Sequence, residues 1–554
     1  MTLLLIIWSQ SRGEILSFLR FSVLSALSLT FCYYLINNSV SDSDTSYEKI
    51  NHIVQFLLTL FVYCLAQLKS LELSGPIVEN TVHALRSNLI RNLQKVELRD
   101  VEFIGTSRIN SVLSLDTLSI SHVATPLAFT AQSFVLTIFA FLYLGYISIT
   151  GLILTVVVSG FSIWIFLSHS KAVQDALSSA QEQANEMQEQ VTALVDGFKE
   201  LKLSKEKSND AIIGAIDSSA AAIDFKLVAH KALSRDFVLY QFSVFALLGS
   251  VAFVMPIIGS ETSDHIKQLV AAVMFLVSPL FGMIGSVPTI LSANLAANNV
   301  IEFDRQLEAM GSRSINKSSI SSKEGSDDAV NLSKVPAFAM ITDQISFEKI
   351  RFEYDSTNGF SVGPLDFVIQ RGELIFISGN NGSGKTTIFK LLTGLYRPTS
   401  GNILVGNRSV WPDSISEYRN LFAVVFSDFY LFKKLYGVNT LNSDWTQMWL
   451  ERLQLSNKVT INEGKFSNTK LSTGQRKRLA LFAALAEKKP ILILDEWAAD
   501  QDPGYRKFFY TEILPYIRAE NITVIAITHD ESYFHLADRR LHLENGVLVQ
   551  VHQN

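Results

Sequence analysis

The stretch GNNGSGKTT, Gly379 to Thr387, decides how this chain is read. It fits the pattern G-x-x-x-x-G-K-[ST] of a phosphate-binding loop. Gly379, Gly382 and Gly384 let the backbone curl, so that successive N–H groups along Asn380, Asn381 and Ser383 point inward at phosphate oxygens. Lys385 adds a full positive charge for the β and γ phosphates. Thr386 offers a hydroxyl to Mg²⁺, and Thr387 completes the motif. The surroundings agree. GELIFIS (Gly372 to Ser378) reads as a buried strand and TTIFKLLTGL (Thr386 to Leu395) as the helix that follows, its N-terminus facing the phosphates. A glycine-rich turn with a chance lysine would not bring strand, loop and helix in that order.

Composition bounds the rest. The chain has 554 residues, room for two or more domains, and is 48% hydrophobic with a mean hydropathy of +0.24. That is too apolar for an ordinary soluble enzyme, and the excess lies before about Val300. A net charge of -5, a pI near 6.1 and no basic block argue against nucleic acid as a partner. Cys32 and Cys64 are the only cysteines, and both lie in apolar runs. At a helical rise of about 1.5 Å per residue they differ in membrane depth by roughly 10 Å, so two buried free thiols are expected rather than a disulfide. TLLLIIW (Thr2 to Trp8) has no charged start and no cleavage site after it. It reads as an interfacial helix, not a cleavable signal.

Six stretches are long enough to cross a bilayer: Ile15 to Ile36, His52 to Leu68, Thr125 to Tyr146, Ile149 to His169, Phe237 to Ile258 and Lys267 to Leu291. Lys and Arg crowd the two long polar stretches after the second and fourth spans and are nearly absent from the three short loops. Positive-inside then puts both long stretches and both termini in the cytoplasm. LRSNLIRNLQKV (Leu85 to Val96) and ANEMQEQVTALVDGFKEL (Ala184 to Leu201) place apolar residues three and four apart, so the spans should continue as helices below the membrane. A soluble coiled coil would need regular e/g charges, which the spans lack. Tyr33, Tyr34, Gln132, Tyr143, Tyr240 and Gln241 are the polar or aromatic candidates for a cargo cavity, though each singly reads as packing. Pro279 and Pro288 predict bends in the sixth span. GSRSINKSSISSKEGSDD (Gly311 to Asp328) is Ser-rich, charged and aperiodic, a linker. Strands then alternate with helices to the end.

ILILDE (Ile491 to Glu496) is a buried strand ending in two carboxylates. Asp495 is assigned to Mg²⁺ and Glu496 to the attacking water. Shortly before it comes LSTGQRKRLALFAAL (Leu471 to Leu485). LSTGQ resembles the LSGGQ signature of ATP-binding-cassette proteins. The order of phosphate loop, signature, acidic strand and a late histidine, His529 in IAITHD, is that of the cassette. The resemblance covers nearly the whole chain and is to a half-size exporter. It implies a membrane all-α six-helix transmembrane domain of exporter type (1–304), a linker (305–342) and a cytoplasmic α/β P-loop nucleotide-binding domain (343–554), with ATP and Mg²⁺ as cofactors.

The resemblance also assigns residues. His529 matches the switch position that contacts the γ-phosphate. Tyr354 in IRFEY matches the aromatic that stacks on adenine, its alternative being a core tyrosine of an edge strand. Asp502 matches the Asp of the loop after the catalytic Glu. In the family the phosphate loop of one cassette meets the signature of another, which implies a homodimer whose two sites are each completed by Ser472, Gly474 and Gln475 of the other chain. Contact helices between membrane part and cassette are implied near Val96 to Ile104 and Ser204 to Ile213. Two departures narrow the subfamily. Ser427 stands where Gln usually begins the coupling loop and is a candidate Mg²⁺ ligand, and DEWAADQDP (Asp495 to Pro503) replaces the usual DEPTSALD. These resemble the cyclic-peptide and siderophore exporters of Gram-negative bacteria, of the pyoverdine and syringomycin type. That implies ATP-driven export of a peptide-like cargo across a bacterial inner membrane, among membrane lipid, with room for a periplasmic or outer-membrane export partner. The rival expectations are a lipid or lipopolysaccharide-precursor flippase, and a membrane ATPase that regulates without moving cargo.

Overall fold

The computed structural model describes residues 2–38, 46–254, 256, 263–316, 344–354, 359–411, 414–438 and 441–553. The chain divides into two compact units. One comprises Met1–Val96 and Glu102–Ala309, the other Glu97–Val101 and Met310–Asn554.

The first unit is helical. Its long helices are Arg12–Asn38, Ser46–Lys95, Ala124–Ile147, Ile149–Asp196, Lys205–Gly249 and Ser263–Asn316, preceded by the short apolar helix Thr2–Gln10. Among the described residues, five helical stretches are long and apolar enough to cross a membrane, and Ile149–Phe161 is a shorter apolar one. Four of the long helices run far beyond their apolar spans, as the three- and four-residue spacings in the polar stretches predict. Apolar side chains such as Leu57, Leu58, Phe61 and Leu65 lie exposed, which water would penalise and hydrocarbon would not. Polar side chains turn inward and pair across helices. Ser22 and Ser70 share a hydrogen bond of 2.8 Å, Ser25 Oγ donates to Gln67 Oε1 at 2.8 Å, and Gln132 Nε2 donates to Ser25 Oγ at 3.0 Å.

Three of the candidate cavity residues take the packing reading, and the expectation for one cysteine changes. Gln132 is buried in interhelical hydrogen bonding, Tyr33 stacks on Phe275, and the Tyr143 hydroxyl accepts from Asn37 Nδ2 at 2.7 Å, so these three hold helices together. The side chain of Tyr240 lies outside the described residues. Cys32 is buried, but Cys64 is exposed on the outer surface, not buried as expected; both thiols are free. One helix, Ser263–Asn316, contains both Pro279 and Pro288 and continues through 305–316, the first part of the expected linker. The remainder of that linker lies outside the described residues.

Among the described residues, the second unit carries twelve strands. In chain order they are β1 (Gln344–Glu353), β2 (Ser361–Gln370), β3 (Leu374–Gly379), β4 (Ser400–Val405), β5 (Arg408–Ser409), β6 (Phe422–Val425), β7 (Ile461–Asn462), β8 (Lys465–Phe466), β9 (Ile491–Asp495), β10 (Thr523–Ile527), β11 (Arg539–Glu544) and β12 (Val547–Gln553). A six-stranded sheet has the order β12-β11-β3-β10-β9-β6, and a four-stranded antiparallel sheet the order β2-β1-β4-β5. In the larger sheet β3, β6, β9, β10 and β11 run parallel. The central strands are buried on both faces, which explains their unbroken apolar runs. Their alternate residues enter different cores. Leu374, Phe376, Leu492, Leu494, Val524 and Ala526 join one cluster with Leu479, Phe482 and Leu485 of the helix Thr473–Ala486. Ile375, Ile377, Ile491, Ile493, Ile525 and Ile527 join the other with Ile388, Phe389 and Leu392 of the helix Lys385–Leu392. The sheet is thus sandwiched between the helix after the phosphate loop and the helix after the signature.

This unit also includes Glu97–Val101. Leu98 packs against the second core, Glu97 is ion-paired with Arg419, and the Arg99 guanidinium lies 5.8 Å from the Phe352 ring centroid.

Candidate active site

In a parallel sheet the loops at the carboxyl ends of neighbouring strands meet on one edge, and ligands bind there. Four such ends stand side by side. Ile377 of β3 is paired with Ile527 of β10, Ile527 with Asp495 of β9, and Leu494 of β9 with Val425 of β6. Beyond them come, in the same order, the phosphate loop, His529, the Asp495–Glu496 pair and Ser427. With strands about 4.8 Å apart, the four span roughly 14 Å.

The loop itself is held by its backbone. Gly382 and Gly384 have φ of 81° and 99°, a region that glycine enters without strain. Ser383 N donates to Asn380 O at 3.1 Å, and Gly546 N to Ser383 O at 2.9 Å. Lys385 is buried, and its Nζ donates to the carbonyls of Gly379 at 2.8 Å and Asn380 at 3.0 Å. Burial pushes its ammonium below the usual lysine range, an effect opposed by Glu496 and Asp495. Asn381 and Thr386 are exposed at the mouth of the loop, whereas Thr387 is buried. The Thr387 hydroxyl meets the Tyr354 hydroxyl at 2.9 Å. Tyr354 itself lies just past β1, half-buried among Phe352, Phe360 and Tyr396.

Asp495 is buried at the end of β9. Burial pushes its carboxyl above the ordinary aspartate range, and hydrogen bonds from Ser427 pull it back. Ser427 Oγ donates to Asp495 Oδ2 at 3.0 Å and Ser427 N to the same oxygen at 3.4 Å. Glu496 follows with φ 47° and ψ 38°, a left-handed conformation costly for a side-chain-bearing residue and typical of functional positions. It turns the carboxylate out of the sheet edge, where Glu496 Oε1 lies 3.4 Å from His529 Nε2.

Ser472 is the N-cap of the helix Thr473–Ala486 and its hydroxyl makes no capping bond. Thr473, in place of the family's Gly, has ordinary helical backbone and is exposed, so no glycine conformation is needed there. Gly474 is needed for space: a Cβ would lie 2.9 Å from the Asp500 carbonyl. Gln475 is half-buried in the same turn. Asp502 caps the helix Pro503–Phe508, accepting from Tyr505 N at 2.9 Å, and this bond holds its carboxyl below the usual range.

Sequence reasoning missed a set of residues that tie these parts together. Lys477 is almost wholly buried. Its Nζ donates to the Glu496 carbonyl at 2.9 Å and pairs with Asp500 at 2.7 Å, while Trp497 Nε1 donates to the Lys477 carbonyl at 2.8 Å. Arg478 donates to Gln501 Oε1 at 2.8 Å and to Asp502 Oδ2 at 3.2 Å, and its guanidinium lies 3.3 Å from the Tyr505 ring centroid. Gln501 Nε2 donates to the Gly474 carbonyl at 3.1 Å. The departure DEWAADQDP is therefore matched by QRKR: the Glu496 carbonyl, Asp500, Gln501 and Asp502 accept from Lys477 and Arg478, and Trp497 donates back to the Lys477 carbonyl. The signal was three consecutive cations, Arg476, Lys477 and Arg478, on a helix that also carries LALFAAL, which must bury one of its sides.

The residues present fit ATP and Mg²⁺. The Ser383 hydroxyl is buried without a partner inside the loop, and Thr386, Asp495 and Ser427 supply hard oxygen donors of the kind magnesium prefers.

A family model described as ABC transporter matches residues 362–499. ATP-binding protein SyrD of Pseudomonas syringae pv. syringae is 30% identical over 474 residues, 84% of this chain and 82% of that protein. An ATP-dependent lipid A-core flippase of Methylobacillus flagellatus is 24% identical over 524 residues, 90% of this chain and 84% of that one. Among solved structures, a bacterial Atm1-family ABC exporter with ATP bound superposes with a TM-score of 0.77 at 17% identity, covering 98% of this chain and 96% of that one. Fold, site and relatives agree, and the chain belongs to the ATP-binding-cassette transporters, as an ATP-hydrolysing membrane transporter of the exporter fold.

Proposed function

We propose that this transporter exports a peptide-like secondary metabolite, whether a cyclic peptide, a lipopeptide or a siderophore precursor, from the cytoplasm across a bacterial inner membrane. The observation that carries this reading is the similarity to SyrD, at 30% identity against 24% for the lipid A-core flippase. It extends over 84% of the chain and so through the helical unit, whereas the similarity to an energy-coupling factor ATP-binding protein of Staphylococcus saprophyticus covers only 37%. Both termini would be cytoplasmic, a placement that the Lys and Arg distribution supports.

The chain would act as a homodimer. Lys385 and the loop N–H groups bind the phosphates of one ATP, Tyr354 stacks on its base, and Ser472, Gly474 and Gln475 of the second chain close the site from the other side. Thr386, Asp495 and Ser427 would hold Mg²⁺, which neutralises phosphate charge when bound. Glu496 orients the attacking water and His529 contacts the γ-phosphate. The loop at Asp502 lines the junction. ATP shifts the helical unit only by the difference between its affinities for the closed and open pair.

The full-length similarity to the lipid A-core flippase supports a second reading, movement of a lipid precursor. Mass spectrometry of culture medium, periplasm and membrane from strains with and without the gene separates the two. Loss of a peptide-type compound from the medium is expected. An unchanged medium with a lipid precursor retained in the membrane would favour the flippase.

A further inference from the structure

Away from the nucleotide-site residues, the helical unit carries an open cavity of about 400 Å³ whose walls include Arg108, Asp116, Glu182, Asn185, Lys226 and Asn299. It draws on four chain segments, and all of these residues fall outside the six apolar spans, on the side that positive-inside makes cytoplasmic. Leu177, Leu295 and Ala296 add an apolar wall.

Asp116 is the unusual member. It is only 4% exposed and closes a π-helical turn, Ser111–Asp116, a distortion that concentrates at functional positions. Asn299 hydrogen-bonds its carboxylate. Nearby, Asn185 Oδ1 accepts from Ser111 Oγ at 3.4 Å, tying that turn to the neighbouring helix. A carboxylate this deep is costly unless a cation answers it; Arg108 offsets part of that cost, and the cavity opens beside it. The walls balance two cations against two carboxylates. A polyanion would meet Asp116 and Glu182 unfavourably, whereas a molecule with both an ammonium and a carboxylate would match both signs.

We propose that this cavity binds the zwitterionic part of a peptide cargo on its cytoplasmic side, Asp116 taking an ammonium and Lys226 a carboxylate. The inference rests on the peptide-export reading above and adds where and by what charges such a cargo is held.

The test uses the full chain in lipid nanodiscs and two synthetic probes. One is dodecanoyl-Ser-Orn-Gly with a free carboxylate; the other is dodecanoyl-Ser-norvaline-glycinamide, of similar size and without charges. Binding is measured by calorimetry, with purified lipid A as a third ligand and size-exclusion chromatography as the folding control. The wild type should bind the charged probe about tenfold more tightly than the neutral one, as expected for charge-assisted contacts. Asp116→Asn should lose most of that preference, and Lys226→Gln should lose the part due to the carboxylate, which a glycinamide form of the ornithine probe isolates. If Asp116→Asn does not fold, Lys226→Gln alone decides. A wild type and folded variants that all keep the same preference would overturn the assignment of this cavity while leaving peptide export intact. A wild type that binds lipid A and neither peptide would overturn the peptide reading itself, and the cavity's cargo with it.

Discussion

Glu496 and Lys385 carry the sharpest expectations at the scale of single residues. The left-handed backbone at Glu496 turns its carboxylate out beside His529, while Lys385 is buried within the loop. Glu496→Gln should bind ATP normally and hydrolyse it about 10²–10⁴-fold more slowly, the range for loss of a positioned base. Lys385→Ala should lose ATP binding. Nucleotide-binding fluorescence and phosphate release read the two separately, and near-wild-type release by the Glu496 variant would remove it from its role. Ser427 is more particular to this chain. Its two hydrogen bonds to Asp495 orient that carboxylate even if the hydroxyl never touches the metal. Ser427→Ala should raise the Mg²⁺ concentration needed for half-maximal hydrolysis by about tenfold, the usual effect of losing a ligand-orienting bond. An unchanged magnesium titration would leave Ser427 without a role. Its position in the chain was legible from the alignment of AVVFSDFYLF, but its partner was not. Asp495 is distant in sequence, and only the parallel pairing of β6 with β9 brings the two together.

Among the elements, the join between the helix Thr473–Ala486 and the loop after Glu496 is the most informative. Lys477 holds the Glu496 carbonyl and Asp500 from a nearly dry position, so its removal leaves a part-buried carbonyl unpaired. Lys477→Met keeps the length and loses the charge. It should lower stability by about 1–3 kcal/mol, the cost of an unsatisfied buried group, seen as a lower melting temperature. Hydrolysis should fall while ATP binding is retained, because the loop that aims Glu496 loosens and the phosphate loop does not. Unchanged hydrolysis in a folded variant would make the join purely structural. The strands β3 and β9 and the helix after the phosphate loop were legible from apolar runs bounded by motifs. The full lengths of the long helices were less so, because positive, acidic and small residues interrupt their apolar period once they leave the spans.

For the whole molecule, the composite-site reading makes a quantitative prediction. A Lys385→Ala chain and a Ser472→Arg chain should each be inactive alone. Co-expressed in equal amounts they form mixed dimers that carry one intact site, so roughly a quarter of wild-type hydrolysis should return if the sites act independently. No recovery would argue against sites shared between chains. Read alone, the sequence determined the two-part organisation, the helical character of the first part, the cassette of the second and the motifs from which the ATP site is proposed. Those features are encoded locally, in runs of apolar residues and in motifs of a few neighbours whose backbone conformation and chemistry are set by the residues themselves. Tertiary structure decided the rest. It chose the partners that Gln132 and Tyr143 meet across helices, put Cys64 on the outer surface, joined Lys477 and Arg478 to the loop after Glu496, and gathered Asp116, Lys226 and Asn299 around one cavity. Each of these depends on which faces of distant segments meet. Side-chain periodicity says that a face is buried, but the partner it is buried against is chosen only when the packed helices and the sheet order fix their neighbours.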